Sequence, residues 1–178
     1  MIRMDSKTVR RVPEPSHALS KALFKKILVA LDGSESSQKA ARAALELSEK
    51  LKAELIVLHA IIPPTSYYHS TIASPVGMSL PAPSQREIDE YYAYARKVAL
   101  SVVGDAESKA KKRGITVRTE IPEAVSSVVE TIINHAVKEN VDLITVGTRG
   151  LGGFKKMLLG SVSSGIVSHA HCPVLVVR

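Results

Sequence analysis

The sequence predicts an α/β fold: a doubly wound parallel sheet with helices on both faces. Five short and nearly continuous apolar runs carry that expectation, together with amphipathic helical stretches that fill the intervals between them. A strand apolar on every residue has both faces buried, and parallel neighbours need right-handed crossovers through those helices. With 178 residues and 45% hydrophobic content, the chain suffices for one buried core and is short for two.

Residues 1–23 are polar, hold Pro13 and Pro15 and keep no period, so they are expected as a flexible extension, with 24–178 as the domain. "KKILVALDGSESS" reads as a first strand ending at Asp32, then Gly33 and a cluster of helix-capping residues. Ala40, Ala44, Leu47 and Leu51 mark one face of the first helix. "AELIVLHAII" is the second strand. Residues 63–86 contain five prolines and no period, and are expected as a long loop.

From Ile88 the helical spacing resumes through Tyr91, Tyr92, Ala95, Val98, Val102 and Ala106, and stops at the basic run before Gly114. "GITVRTEI" is a third strand. Val125, Val129, Ile132, Ile133 and Ala136 line a third helix, "VDLITVG" is a fourth strand, Ser161 opens a fourth helix and "PVLVVR" is the fifth strand. In such sheets ligands sit beyond the carboxyl ends of the strands, where Asp32 and Gly147 fall.

Charge is unevenly placed. The formal net charge is +7, yet residues 27–148 carry thirteen basic and fifteen acidic groups, whereas residues 1–26 carry seven and two. The domain's bulk is therefore no general polyanion surface. Residues 143–178 hold no Asp or Glu, which leaves Arg149, Lys155 and Lys156 in a purely basic loop. Cys172 is the single cysteine, so no intrachain disulfide forms, and a reducing cytoplasm is the expected compartment. No apolar run is long enough for a membrane span or signal segment.

The loop "VGTRGLGGFKKMLLGSVSSG" places glycines at 147, 150, 152, 153 and 160, with Ser161 directly after, in the pattern G-x2-G-x9-G-S. Glycine lets backbone amides approach a ligand, and a helix start offers unpaired amides and a positive dipole end. Those are the needs of a phosphate cradle, to which the Ser161 and Ser163 hydroxyls and the Arg149 charge would add. A plain flexible connection stays open as the other reading. The Walker and dinucleotide patterns fail, because Gly152 is followed by Gly153 and position 155 is Lys.

"ILVALDGSESS" together with "VGTRGLGGFKKMLLGSVSSGIVSHAHCPVLVV" resembles the universal stress protein family, specifically its ATP-binding branch, over residues 24–178. The resemblance implies a five-stranded sheet in order 3-2-1-4-5 with adenine nucleotide across the gap between strands 1 and 4. It implies that Asp32 contacts the adenosine part and that Val146 packs beside the nucleoside. Gly147 and Gly150 would approach ribose and phosphates, while Gly160, Ser161, Val162 and Ser163 would hold the phosphate chain. The end of the second strand, His59, Ala60 and Ile61, would meet the adenine.

Single residues keep their plainer readings beside these. Asp32 is either a turn residue or a ligand contact, and His59 is either structural or ligand-contacting. His169, His171 and Cys172 straddle a helix end and a strand start, so packing is expected rather than a metal site or a reactive thiol. Tyr91 and Tyr92 fall on the expected core face of their helix, and Tyr67 and Tyr68 lack the adjacent basic residues of a base-stacking surface.

The expectation is an ATP-binding regulator of stress responses, with AMP or ADP as alternative ligands and Mg2+ or Mn2+ held through the phosphates. A slow ATP-hydrolysing enzyme is the alternative, and a nucleic-acid binder acting through the basic tail is a third. In the implied strand order, strand 3 has an edge guarded by Arg118 and Glu120, whereas "PVLVV" (173–177) has no charge, so a homodimer is expected through the last strand, 173–178.

Overall fold

The structure is a computed structural model that describes residues 23–64, 82–151 and 159–178. The expected extension, most of the proline-rich loop and the loop residues 152–158 lie outside the described residues. Five strands and four helices alternate: β1 (Lys26–Ala30), α1 (Glu35–Leu51), β2 (Glu54–Leu58), α2 (Gln85–Lys112), β3 (Val117–Glu120), α3 (Val128–Lys138), β4 (Leu143–Gly147), α4 (Ser161–His169) and β5 (Val174–Val177). The sheet is parallel throughout and its order is β3-β2-β1-β4-β5, as the sequence implies.

Alternation along the strands divides the core into two layers. Ile27, Val29, Leu55 and Val57 face α1 and α2, where Ala40, Ala44, Ala106 and Ala110 let the helices lie close to the sheet. Leu28, Ile56, Leu58, Ile144 and Val146 face α3 and α4, against Ile132, Ala136 and Ile166. The side chains of Ile27, Leu28, Leu55, Ile56 and Ile144 are fully buried. Burial of this kind contributes about 1.5–3 kcal/mol per large aliphatic side chain.

Serine hydroxyls start three of the helices. Ser34 accepts from Ser37 N at 3.2 Å, and Ser127 accepts from Glu130 N at 3.0 Å. Ser84 makes a reciprocal box with Glu87, whose carboxylate accepts from Ser84 N at 2.7 Å. That box begins α2 at Gln85, a turn before the expected Ile88, and the Ser-x-x-Glu spacing was present in the sequence to be read. The core face of α2 is Ala99, Val103, Ala106 and Ala110: Ala106 is buried as expected and Val102 packs half-buried against the same cluster, whereas Val98 is 38% exposed. Val125 precedes the Ser127 cap and is exposed rather than part of α3.

The two sheet edges differ. On β3, Arg118 bonds Glu54 and Glu139 at 2.6 Å each, a charged edge. The four residues of β5 are apolar and half-buried. Among the described residues no helix is long and apolar enough to cross a membrane.

Candidate functional site

Residues from α1 and α4 pack on opposite faces of the sheet, so the chain leaves β1 and β4 in opposite directions and opens a crevice beyond their carboxyl ends. A cavity of about 650 Å³ occupies it, within the range of small-molecule sites. Ten of the twelve residues singled out from the sequence line this cavity, all but His59 and Ile61.

One end is polar. Arg149 and Gly150 from the start of the loop meet Gly160, Ser161, Val162 and Ser163 at the start of α4. Gly160 is the N-cap of α4 and has no side chain to accept from the first-turn amides, in contrast to the three serine-capped helices. The first turn of α4 thus presents its unpaired N–H groups and dipole to the cavity. Gly160 N–H donates to the Thr148 carbonyl at 2.7 Å. The buried Ser163 hydroxyl donates to the carbonyls of Thr148 and Gly160 at 3.0 and 3.1 Å, which ties the loop start to the helix start.

The opposite end is apolar. Ala60 and Val146 stand there with Ala30, Leu58 and Ile62, and α3 closes the wall with Val128 and Ile132. Sequence reasoning missed the contribution of α3 and of Ile62. The period of two along β2 was the available signal: Ala60 and Ile62 follow Leu58 onto the cavity face, while His59 and Ile61 alternate away.

His59 accordingly stands outside the lining. Its Nδ1 is buried with no partner among the described residues, and burial holds its pKa below the usual histidine value despite the Leu31 backbone and the Asp32 carboxylate. A neutral imidazole packed behind the site follows, which is the structural one of its two readings.

Asp32 fills its turn reading and also lines the cavity. Its Oδ1 accepts from Ser34 N at 2.9 Å, closing the turn into α1, and its Oδ2 accepts from Leu151 N at 3.1 Å, holding the glycine loop. A Cβ on Gly150 would stand 2.6 Å from Oδ2, so only glycine lets the loop reach the carboxylate. Gly147 lines the cavity, but its missing side chain serves α1: a Cβ there would stand 2.6 Å from the Ser36 carbonyl carbon.

The remaining candidates do not converge on the cavity. His169 bonds the Gly165 carbonyl at 2.8 Å and His171 the Val141 carbonyl at 3.2 Å. Among the described residues no group of three His, Cys, Asp or Glu could hold a metal ion. Burial pushes the Cys172 thiol pKa up, which keeps it protonated and unreactive. Tyr91 and Tyr92 brace the rim, donating to the Ile62 carbonyl at 2.6 Å and to Glu123 at 3.3 Å, and Tyr67 and Tyr68 lie outside the described residues.

Fold and site together define a doubly wound α/β protein with an uncapped helix start at its switch point. The chain belongs to the universal stress protein family, whose model matches residues 23–178. It is 37% identical over 159 residues to universal stress protein YxiE of Bacillus subtilis (strain 168), covering 88% of this chain and all of the relative. Among solved structures, universal stress protein UspA from Lactobacillus plantarum superposes with a TM-score of 0.65 at 22% identity, over 87% of this chain and 98% of that one. The family member from Archaeoglobus fulgidus in complex with dAMP gives 0.58 at 19% identity, over 88% and 99%. A family protein from Arabidopsis thaliana with AMP bound gives 0.58 at 19%, over 86% and 90%.

The two glycines separate in a stability measurement. Gly147→Ala forces backbone apart and is expected to cost about 1–3 kcal/mol in urea unfolding. At Gly160 a Cβ meets nothing nearer than the Thr148 oxygen at 3.4 Å. Gly160→Ala is therefore expected to cost no more than about 1 kcal/mol, the cap preference. Equal costs at both positions would contradict the packing role given to Gly147.

Proposed function

We propose that the chain binds adenine nucleotide, ATP foremost, between the ends of β1 and β4 and acts as a nucleotide-dependent regulator of stress responses. The observation that carries this reading is the uncapped start of α4 beside Gly150 at one end of a cavity whose other end is apolar. Phosphates suit the first end and a flat heterocycle the second. Family members with dAMP and AMP support the same ligand class. The basic, acid-free loop favours a polyphosphate over a monophosphate, so AMP and ADP rank behind ATP.

Among the described residues Asp32 is the one carboxylate in the cavity lining, and both of its oxygens already accept from backbone amides. The donor set therefore fits Mg2+ or Mn2+ only as a companion of the phosphates, with the Ser161 hydroxyl within the same lining. Rapid phosphoryl transfer to water needs a group that orients the water and commonly a carboxylate on the metal. The lining offers no second carboxylate for either task. Nucleic acid is not a proposed partner, since residues 27–148 carry more acidic than basic groups. A cytoplasmic location accords with the single thiol of Cys172, and cell fractionation checks it.

Calorimetry is expected to show ATP binding by the wild type that Gly160→Val loses, because the branched side chain fills the space before the α4 amides. Phosphate release is expected to stay below about 1 per second, the low end of enzyme turnover. Faster release, lost in Gly160→Val, would make the protein an ATPase.

The apolar β5 edge supports a homodimer, because an unguarded edge strand invites pairing and an isologous contact closes at two copies. Leu175→Lys or Val177→Lys is expected to give monomers in sedimentation. A dimer that persists in both variants would rule out this interface.

A further inference from the structure

A hydroxyl outside the cavity controls the orientation of its polar end. Ser36, half-buried in the first turn of α1, is absent from the cavity lining. Its Oγ donates to the Arg149 carbonyl and accepts from the Arg149 N–H at 3.3 Å. Ser34 Oγ donates to the same carbonyl at 3.2 Å, so this oxygen is held on α1 by two hydroxyls. The approach is close because Gly147 has no side chain to hold β4 off the Ser36 backbone.

The peptide that links Arg149 to Gly150 is trans, and a planar trans peptide points its N–H opposite to its C=O. Fixing the Arg149 oxygen on α1 therefore turns the Gly150 N–H away from α1. It turns toward the side on which Gly160 stands, where a Cβ of Gly160 would lie 3.8 Å from Gly150 N. No hydrogen bond among the described residues engages that N–H. It joins the open amides of the α4 first turn at the polar end of the cavity.

We propose that Ser36 is a positioning residue that aims the Gly150 N–H at the phosphate end of the bound nucleotide without touching the ligand. The assignment rests on the adenine-nucleotide reading and deepens it, because it says which part of the ligand Ser36 serves. The nucleoside part lies against Ala60, Val146 and Ile132, which owe nothing to Ser36. Loss of the hydroxyl should therefore fall on the phosphates alone. Ser34 is less suited to a test, since it also caps α1.

The experiment compares ATP and adenosine affinities of the wild type and Ser36→Ala by calorimetry, with thermal unfolding of both proteins alongside. Alanine favours the helix, so the variant is expected to fold. ATP binding should weaken about tenfold, which is one well-placed hydrogen bond. Adenosine binding should change by less than about twofold, and the unfolding midpoint should fall by no more than about 2–6 °C, the cost of the hydrogen bonds lost to Arg149. Equal losses for both ligands would reduce Ser36 to a structural role and overturn the assignment, as would an unchanged ATP affinity. A wild type that binds neither ligand would instead overturn the nucleotide reading itself, and the assignment with it.

Discussion

The contact between the end of β4 and the first turn of α1 is the constraint on which the site depends. A parallel sheet leaves β1 and β4 pointing the same way, and the loop after β4 would otherwise be free to swing over solvent. Three groups on the β1–α1 connection capture it: the Asp32 carboxylate takes Leu151 N–H, and Ser34 and Ser36 take the Arg149 carbonyl. Glycine at 147 and 150 is what lets backbone come within reach of those groups. The loop is thus fixed at its start by the strand that neighbours it in space and lies far from it in sequence. Thr148 then binds the far end of the loop through Gly160 N–H and the Ser163 hydroxyl.

This arrangement leaves α4 unlike its three companions. A helix start normally satisfies its free amides with a side-chain oxygen, and serine does so at 34, 84 and 127. Gly160 gives up that bond, which costs a few tenths of a kcal/mol against a good cap. The loss is small for the fold and leaves a concentrated set of donors facing a cavity. A cap bond is given up for open amides at a single residue, and the Ser163 hydroxyl ties the same helix start to the loop backbone.

Much of the fold was legible because the signals were periodic. Four mainly apolar runs and the mixed run at β3 became strands of four or five residues, and the strand-end positions of Asp32 and Gly147 followed from the first and fourth. The residues that the glycine spacing and Ser161 singled out meet in the lining of one cavity. What escaped was side-chain direction and long-range contact. His59 lies between lining residues in sequence yet stands outside the lining itself, since one residue along a strand reverses the side chain. The share of α3 in the apolar wall could not be read, because Val128 and Ile132 reach the site through tertiary packing alone. Val125 misled for a local reason: it keeps helical spacing with Val129 but precedes the Ser127 cap. The link between Ser36 and Arg149 spans 113 positions and has no sequence signature of its own.

The central claim is that the open amides of the α4 first turn, with the Gly150 N–H, receive the phosphates of an adenine nucleotide. Amide nuclear magnetic resonance of the full chain, titrated in parallel with ATP and with adenosine, tests this directly. The account predicts that the N–H signals of Gly150, Ser161, Val162 and Ser163 move with ATP and hold still with adenosine, while Ala60 and Val146 respond to both. ATP-dependent shifts that spare those four amides and appear elsewhere on the domain would contradict it.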